Sequence, residues 1–282
     1  NRAKIPCGMR LYGTFLWSYL KRNGLLKTKI RFHDEIMAYN LPKSFLITTN
    51  DGSEGDKAYD KFCKDKSLYN FYYLLNGLDR ITENPEVKAQ KQAEISDDAL
   101  LYVATLTRWK RQDRAIELVK LLKDSNVNCK LYFIGSCPPD CVSWKNELEN
   151  KAKMLGVSDS IVYLGSLERE HFLYLAMKAK ACLLFQDTTN MGNVFHELFS
   201  VGSVIVALND GSLDDFITNG KNGFLVDNIN EAAQVVTRIL NNEYDVTSIR
   251  ENAKKISEKM LKSWDDRFKI ELELIRNAVK KQ

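Results

Sequence analysis

Between residues 99 and 208 the chain repeats one pattern: a short continuous apolar run, a turn, then a polar segment with helical periodicity. The runs cover 99–104, 130–135, 161–165, 182–185 and 204–208. A strand that is apolar at nearly every position is buried on both faces, the situation in a parallel sheet covered by crossover helices. Asp113 is placed to cap a helix with the apolar stripe Ala115, Leu118, Val119 and Leu122. A second stripe, Ala232, Val235, Val236 and Ile239, follows Asn230. These features predict an α/β fold with a doubly wound parallel sheet over residues 99–264.

Residues 1–80 read differently. "IPCGMRLYGTF" and "KSFLITTND" are strand candidates on either side of a helical, aromatic-rich stretch, 16–40. Two strands do not close a doubly wound sheet, so residues 1–80 are expected to form part of a domain. The polar segment 81–98 reads as a linker. At the far end Ser263 and Asp266 make a capping box for a helix over 265–282, expected to pack back toward the N-terminal domain.

Bulk properties narrow the function classes. A chain of 282 residues with 44% apolar content buries one or two full cores. The net charge is +4 and the basic residues are interspersed with acids, which argues against nucleic acid as a partner. The slight basic bias allows peripheral contact with an anionic membrane. No apolar run approaches the about 18 residues of a membrane span. Of the six cysteines, Cys129 and Cys182 sit in strand-like runs and read as core residues, while Cys137 and Cys141 are a close pair with no second pair to complete a metal set. A reducing, cytoplasmic setting fits best, with contact at the inner membrane face left open.

Two segments carry candidate chemistry. In "TTNMGNVFHELFSVG" a glycine, Gly192, opens a short helix bearing His196 and Glu197. Zinc would need a second histidine four residues after His196, where Ser200 stands, so the metal reading fails. An anion reading needs free amides at a helix start, which Gly192 and Asn193 supply. Asn193, His196, Glu197 and Ser200 form one polar stripe, with Val194, Leu198 and Val201 opposite; a solvated helix face is the plain alternative. The second segment, "ATLTRWKRQD", joins the first strand of the domain to its first helix, where parallel sheets carry ligand sites. Thr105, Thr107, Arg108 and Lys110 there can neutralise phosphates, or simply form a basic loop in water. A dehydrogenase would need Gly-x-Gly-x-x-Gly in this turn, and the turn "VATLTRWK" has no glycine. His33 and His171 read as surface residues.

Taken in order, "LLYVATLTRWKRQDRAIELVKLL", "KLYFIGSCP", "IVYLGSLEREHFLYLAMKAKACLLF", "TNMGNVFHELFSVGSVIVALNDGSLDDFITNGKNGFLVD" and "SWDDRFKIELEL" resemble the C-terminal half of family 4 glycosyltransferases of the GT-B fold. Upstream, "RLYGTFL" and "FLITTNDGSEGDKAYDKF" followed by "LLNGLD" resemble the last third of that fold's N-terminal domain, which implies that residues 1–80 are a partial Rossmann-like domain on the acceptor side. The resemblance implies that Glu197 holds the donor ribose, that the amides of Asn193 and Val194 meet the diphosphate, and that Lys110 is the diphosphate lysine. It implies that Ser166 and Leu167, with Gly135 nearby, form the base-reading side. Three positions depart from the family pattern: Thr189 stands for the first acid of the Glu, seven residues, Glu motif, Thr105 for an arginine, and Tyr12 for a histidine before Gly13. Thr189 and Asn190 are then expected at the donor sugar, and Arg108 or Arg10 is expected to assist Lys110.

The implied function is hexosyl transfer from a nucleoside diphosphate sugar to an acceptor hydroxyl, with retention, in polysaccharide biosynthesis. The acceptor class, a sugar, a lipid-linked sugar or a protein, is left open. With no Asp-x-Asp in the chain, neither a metal nor a separate cofactor is expected. The alternatives are a non-catalytic nucleotide-binding subunit and a GT-B sugar epimerase. Because residues 1–80 read as a partial domain, donor binding with poor transfer is the expectation for this chain alone.

Overall fold

The computed structural model describes residues 6–79 and 95–280; residues 81–94 of the expected linker lie outside them. The chain forms two compact units, one of Asn1–Asp79 with Leu261–Gln282, the other of Arg80–Met260.

The first unit opens with β1 (Gly8–Leu11), α1 (Leu16–Arg31) and α2 (His33–Asn40), followed by β2 (Phe45–Asn50), α3 (Gly55–Phe62) and β3 (Asn70–Leu75). The strands are parallel in the order β1-β2-β3. Among the described residues three strands thus stand where two were expected. β3, "NFYYLL", escapes the sequence pattern because it is an edge strand, exposed at Asn70, half-buried from Phe71 to Leu75 and without the fully apolar run of an inner one. Its inner neighbour β2 is buried from Phe45 to Thr49. Leu16, Tyr39, Leu46, Tyr59, Phe62 and Tyr69 make the core of the unit. Gly24, at φ +76°, breaks α1 where a side chain would be strained.

The second unit contains β4 (Ala99–Val103), α4 (Gln112–Asp124), β5 (Lys130–Ile134), α5 (Val142–Met154), β6 (Ile161–Gly165), α6 (Arg169–Lys178), β7 (Ala181–Leu184), α7 (Asn193–Ser200), β8 (Ile205–Leu208), β9 (Phe224–Val226), α8 (Ile229–Leu240) and α9 (Val246–Met260). Its six-stranded sheet is parallel throughout, in the order β6-β5-β4-β7-β8-β9. The five strands expected from apolar runs are all present. The sixth, β9, is an edge strand of three residues, too short to register as a run. β4 is buried at every position, and Ala115, Leu118, Val119 and Leu122 of α4 pack in the same core.

The start of α4 differs from expectation. α4 begins at Gln112, so Asp113 lies inside the first turn, where its carboxylate accepts from the Arg111 guanidinium at 3.0 and 2.9 Å rather than capping an amide. α8 is capped by Asn228, whose side chain accepts from the Glu231 amide at 3.0 Å, two residues ahead of Asn230. The last helix, α10 (Trp264–Lys280), belongs to the first unit. Its Ser263 hydroxyl accepts from the Asp266 amide at 3.1 Å, as the capping box requires. Cys129 and Cys182 are buried, and burial pushes each thiol up to about 12.

Candidate functional site

The order of the second sheet reverses direction between β4 and β7. At such a switch point the loops leaving the carboxyl ends of two neighbouring strands part to opposite faces and open a crevice. Here those loops carry residues 104–111 and 185–192, and both are tightly fixed. The Leu106 amide donates to the Ser136 carbonyl at 2.8 Å, and the fully buried Gln112 side chain donates to the Thr105 carbonyl at 2.9 Å while accepting from the Trp144 indole at 3.1 Å. The two loops are also joined to each other. The Asp187 amide donates to the Trp109 carbonyl at 3.1 Å, and Arg111 and Arg114 reach the Asp187 carboxylate at 3.0 and 2.8 Å. Tyr102, at the end of β4, donates from its hydroxyl to the Lys110 carbonyl and accepts from the Phe185 amide at 3.2 Å.

Lys110 stands at this junction. Its ammonium donates to the Gln186 side-chain carbonyl and lies 3.8 Å from the centroid of the Trp109 ring. Among the described residues no carboxylate pairs with it, and burial holds its pKa down to about 8. Arg108 is engaged elsewhere: its guanidinium pairs side-on with the Glu147 carboxylate of α5, one contact at 2.7 Å. Thr105 is exposed, with its carbonyl accepting from Gln112.

α7 begins where the second loop ends. Gly192 is its N-cap in extended conformation, with no atom within 4 Å of where a β-carbon would stand. Asn193 and Val194 form the first turn of the helix, whose dipole gives this end a partial positive charge. Asn193 is exposed and Val194 half-buried. Thr189 accepts from the Met191 amide at 3.1 Å through its hydroxyl. Asn190 is fully buried, and its side chain accepts from the Gln186 amide at 3.1 Å and donates to the Leu208 carbonyl at 2.8 Å. Expected at a donor sugar, the Asn190 side chain is instead enclosed and bonded within the protein, where it shapes the loop that presents Thr189.

One turn into α7, Glu197 accepts from the Arg169 guanidinium of α6 at 2.6 Å. Nothing in the local pattern of "SLEREHF" marks Arg169 as its partner. The face of α7 also differs from the expected one. Its buried residues are Phe195, His196, Leu198 and Phe199, whereas Val194 and Val201 are half-buried. His196 therefore lies on neither a solvated nor a locally satisfied face. Both ring nitrogens lack a partner, Phe195 and Phe216 pack within 6 Å of the ring centroid, and burial pushes its pKa down to about 4. It is a neutral core residue. His171, expected at the surface, is half-buried with its Nε2 enclosed.

Between the carboxyl ends of β5 and β6 lies a cavity of about 440 Å³ lined by Gly135, Cys137, Lys145, Tyr163 and Ser166, among others. Gly135 lets its loop pass close to the neighbouring β4 end: at φ +151°, a β-carbon there would lie 2.1 Å from the Ala104 carbonyl oxygen. Ser166 is exposed at its rim and Leu167 is half-buried just beyond. No local motif marks Lys145 or Tyr163 as part of this wall; the lysine ammonium lies 5.4 Å from the centroid of the tyrosine ring.

Residues 83–256 match the family model of group 1 glycosyl transferases, well over half of the chain. The chain belongs to this family. No curated protein matches the sequence of this glycosyltransferase. Several solved structures share its fold. HepE from Anabaena, in complex with UDP and glucose, superposes with a TM-score of 0.73 at 17% identity, over 99% of this chain and 72% of that one. A sucrose-phosphate synthase from Thermosynechococcus elongatus gives 0.77 at 16%, over 98% and 68%. A glycosyltransferase from Rickettsia africae ESF-5 gives 0.66 at 14%, over 92% and 68%. The fold is therefore GT-B.

Arg10 of the glycosyltransferase lies in the first unit, on β1, where its guanidinium pairs with the Glu271 carboxylate of α10 at 2.8 Å and sits 4.4 Å from the centroid of the Tyr12 ring. Arg267 pairs with the same carboxylate at 2.8 Å and donates to the Leu75 carbonyl at 2.7 Å. Among the described residues no group of three or more His, Cys, Asp or Glu side chains could hold a metal ion, and no helix is long and apolar enough to cross a membrane.

Proposed function

We propose that this chain moves a hexose from a nucleoside diphosphate sugar to an acceptor hydroxyl, with retention and without a metal. The observation that carries the reading is Lys110: a cation with no carboxylate partner among the described residues, at the switch point of the sheet, in a loop stitched to the one that opens α7. In this reading the donor diphosphate lies against Lys110 and the amides of Asn193 and Val194. The base enters the cavity between Gly135 and Ser166, and Glu197, oriented by Arg169, accepts from the ribose hydroxyls. As the bond from anomeric carbon to diphosphate oxygen breaks, its electron pair passes to the diphosphate, and preformed donors stabilise the growing charge. The acceptor oxygen bonds the anomeric carbon on the face the diphosphate leaves, and its proton goes to the departing phosphate oxygen. Thr189, neutral where the family pattern has an acid, tunes the donor sugar. Lys110, with its depressed pKa, is protonated for the most part at pH 7 and can meet this charge.

Product analysis with radiolabelled UDP-glucose and a panel of sugar and lipid-linked acceptors, with and without EDTA, tests this. Labelled acceptor that survives chelation supports the proposal. An isomerised donor points to the epimerase reading, and bound but unconverted donor to a non-catalytic subunit. Magnesium-dependent turnover would overturn the metal-free diphosphate site.

A further inference from the structure

The first unit holds a second cavity, of about 300 Å³, lined by Lys43, Ser44, Tyr69, Asn70, Tyr72 and Asn277, among others. Its position is unusual. Asn70 is the first residue of β3 and Phe45, also on its wall, the first of β2, so the cavity opens at the amino ends of the strands. Ligand crevices of parallel sheets form at the carboxyl ends. This cavity is therefore separate from any site built by the family's usual geometry.

Its most informative wall is Lys43, which is 8% exposed. The ammonium donates to the Leu41 carbonyl at 2.5 Å and lies 3.7 Å from the centroid of the Tyr69 ring. Tyr69 is itself held, its hydroxyl donating to the Tyr39 carbonyl at 2.5 Å and lying 3.5 Å from the Cys63 sulfur. The lysine is thus locked in place. Among the described residues no carboxylate pairs with it, and burial holds its pKa below the ordinary lysine range. A buried ammonium is costly without a counter-charge, and lysines are almost never buried unpaired. An ammonium also has three donors, and the carbonyl and the ring face occupy two of them. The remaining polar lining consists of hydroxyls and amides: Ser44, Ser67, Asn70, Asn277 and the Tyr72 phenol. Two acids lie close in sequence to the lining: Glu273, beside Leu274, is exposed on α10, and Asp65 accepts from the Ser67 amide and hydroxyl at 2.9 and 2.6 Å.

One fixed cation, neutral donors around it and a volume at the small end of ligand pockets define an anion site. We propose that this cavity binds a small phosphate- or carboxylate-bearing molecule, with Lys43 as its counter-charge and Asn70 and Asn277 as neutral donors. The proposal is independent of the donor site, and its test keeps the two apart. The full chain, saturated with UDP, is titrated calorimetrically with inorganic phosphate, glucose 6-phosphate, glucuronate and, as a neutral control, glucose. Saturable binding of at least one anion, and none of glucose, is expected. Preference for the phosphate ester over glucuronate, or the reverse, identifies which anion the cavity takes. Lys43→Gln should weaken that binding by roughly ten- to hundred-fold, the value of a charge-assisted hydrogen bond. Asn277 is exposed, so Asn277→Asp leaves the fold intact while adding a negative charge to the rim, and it should weaken binding comparably. The inference is overturned if none of the three anions binds at millimolar concentration, or if Asn277→Asp leaves binding unchanged. Loss of UDP binding alone would count against the donor site and not against this one, because both variants read the second cavity directly.

Discussion

Lys110→Gln separates a diphosphate lysine from a merely well-packed one. Burial lowers the Lys110 pKa from 10.5 to about 8, and its neighbours, the Gln186 carbonyl and the Trp109 ring, are uncharged. In the free protein about nine tenths of Lys110 is therefore protonated at pH 7, about half at pH 8 and about one tenth at pH 9. A diphosphate against the ammonium returns its pKa toward the ordinary range, so binding draws the missing proton from solution. The expected uptake, wild type minus Lys110→Gln, is about 0.1 proton at pH 7, about 0.5 at pH 8 and about 0.9 at pH 9. Affinity for UDP should fall about ten-fold between pH 7 and pH 9 beyond any fall seen in the variant, because only the protonated fraction binds. Calorimetry in buffers of different ionisation enthalpy measures both quantities, and subtraction removes protons exchanged by the nucleotide itself. Equal uptake by the two proteins at pH 8 would show that Lys110 does not meet the phosphates.

The same shift has a stability consequence of definite sign. Below pH 8 the lysine is charged in both folded and unfolded chains, and the full cost of its burial opposes folding. As the pH rises from about 8 to about 10.5 the unfolded chain holds more protons than the folded one, so this group makes stability increase with pH, by no more than about 3 kcal/mol. Lys110→Gln should flatten that part of a denaturation-against-pH profile.

Three further substitutions read other parts of the site. Glu197→Ala should weaken UDP binding roughly ten- to hundred-fold, whereas Arg169→Met, which removes the guanidinium paired with that carboxylate, should cost about two- to five-fold; equal losses in calorimetry would mean that Arg169 itself touches the nucleotide. Thr189→Ala should change donor-sugar preference or turnover while the UDP dissociation constant stays nearly constant, and a parallel loss of both would place Thr189 outside the sugar pocket. Gly135→Ala puts a β-carbon 2.1 Å from the Ala104 carbonyl in a strained conformation, so thermal denaturation should show a loss of about 1–3 kcal/mol, and an unchanged melting temperature would mean that the β5 loop yields freely.

How far the sequence could be read depended on whether the information was local. The inner strands β4, β5, β7 and β8 are nearly or fully apolar runs, and burial on both faces leaves no other composition available to them. β3 and β9 sit at sheet edges, where one side of the ladder is open and the pattern relaxes or shortens. The site divides along the same line. Gly192 at the start of α7, Glu197 one turn later and Lys110 before α4 are marked by their place relative to neighbouring residues, and each occupies the kind of position its sequence context implied.

The state of each charge depends instead on residues distant in the chain. Arg108 and Lys110 are equivalent as sequence, two cations in one short loop. In three dimensions Glu147, on the next helix of the sheet, pairs with Arg108, while Asp187 is held by Arg111 and Arg114. The acids around this loop are thereby engaged by the arginines, and the Lys110 ammonium faces a neutral amide and a ring. The same logic enclosed His196: Phe216, from the segment after β8, covers a ring that helical periodicity had put on a polar stripe. Which cation in the loop keeps its charge for a ligand is thus decided by the partners of the others. Glu147→Gln offers a direct check of that competition, since it releases the Arg108 guanidinium beside the same loop and should raise UDP affinity, most visibly at pH 9, where Lys110 has lost most of its proton. An unchanged dissociation constant at that pH would mean that Arg108 cannot reach the phosphates even when free.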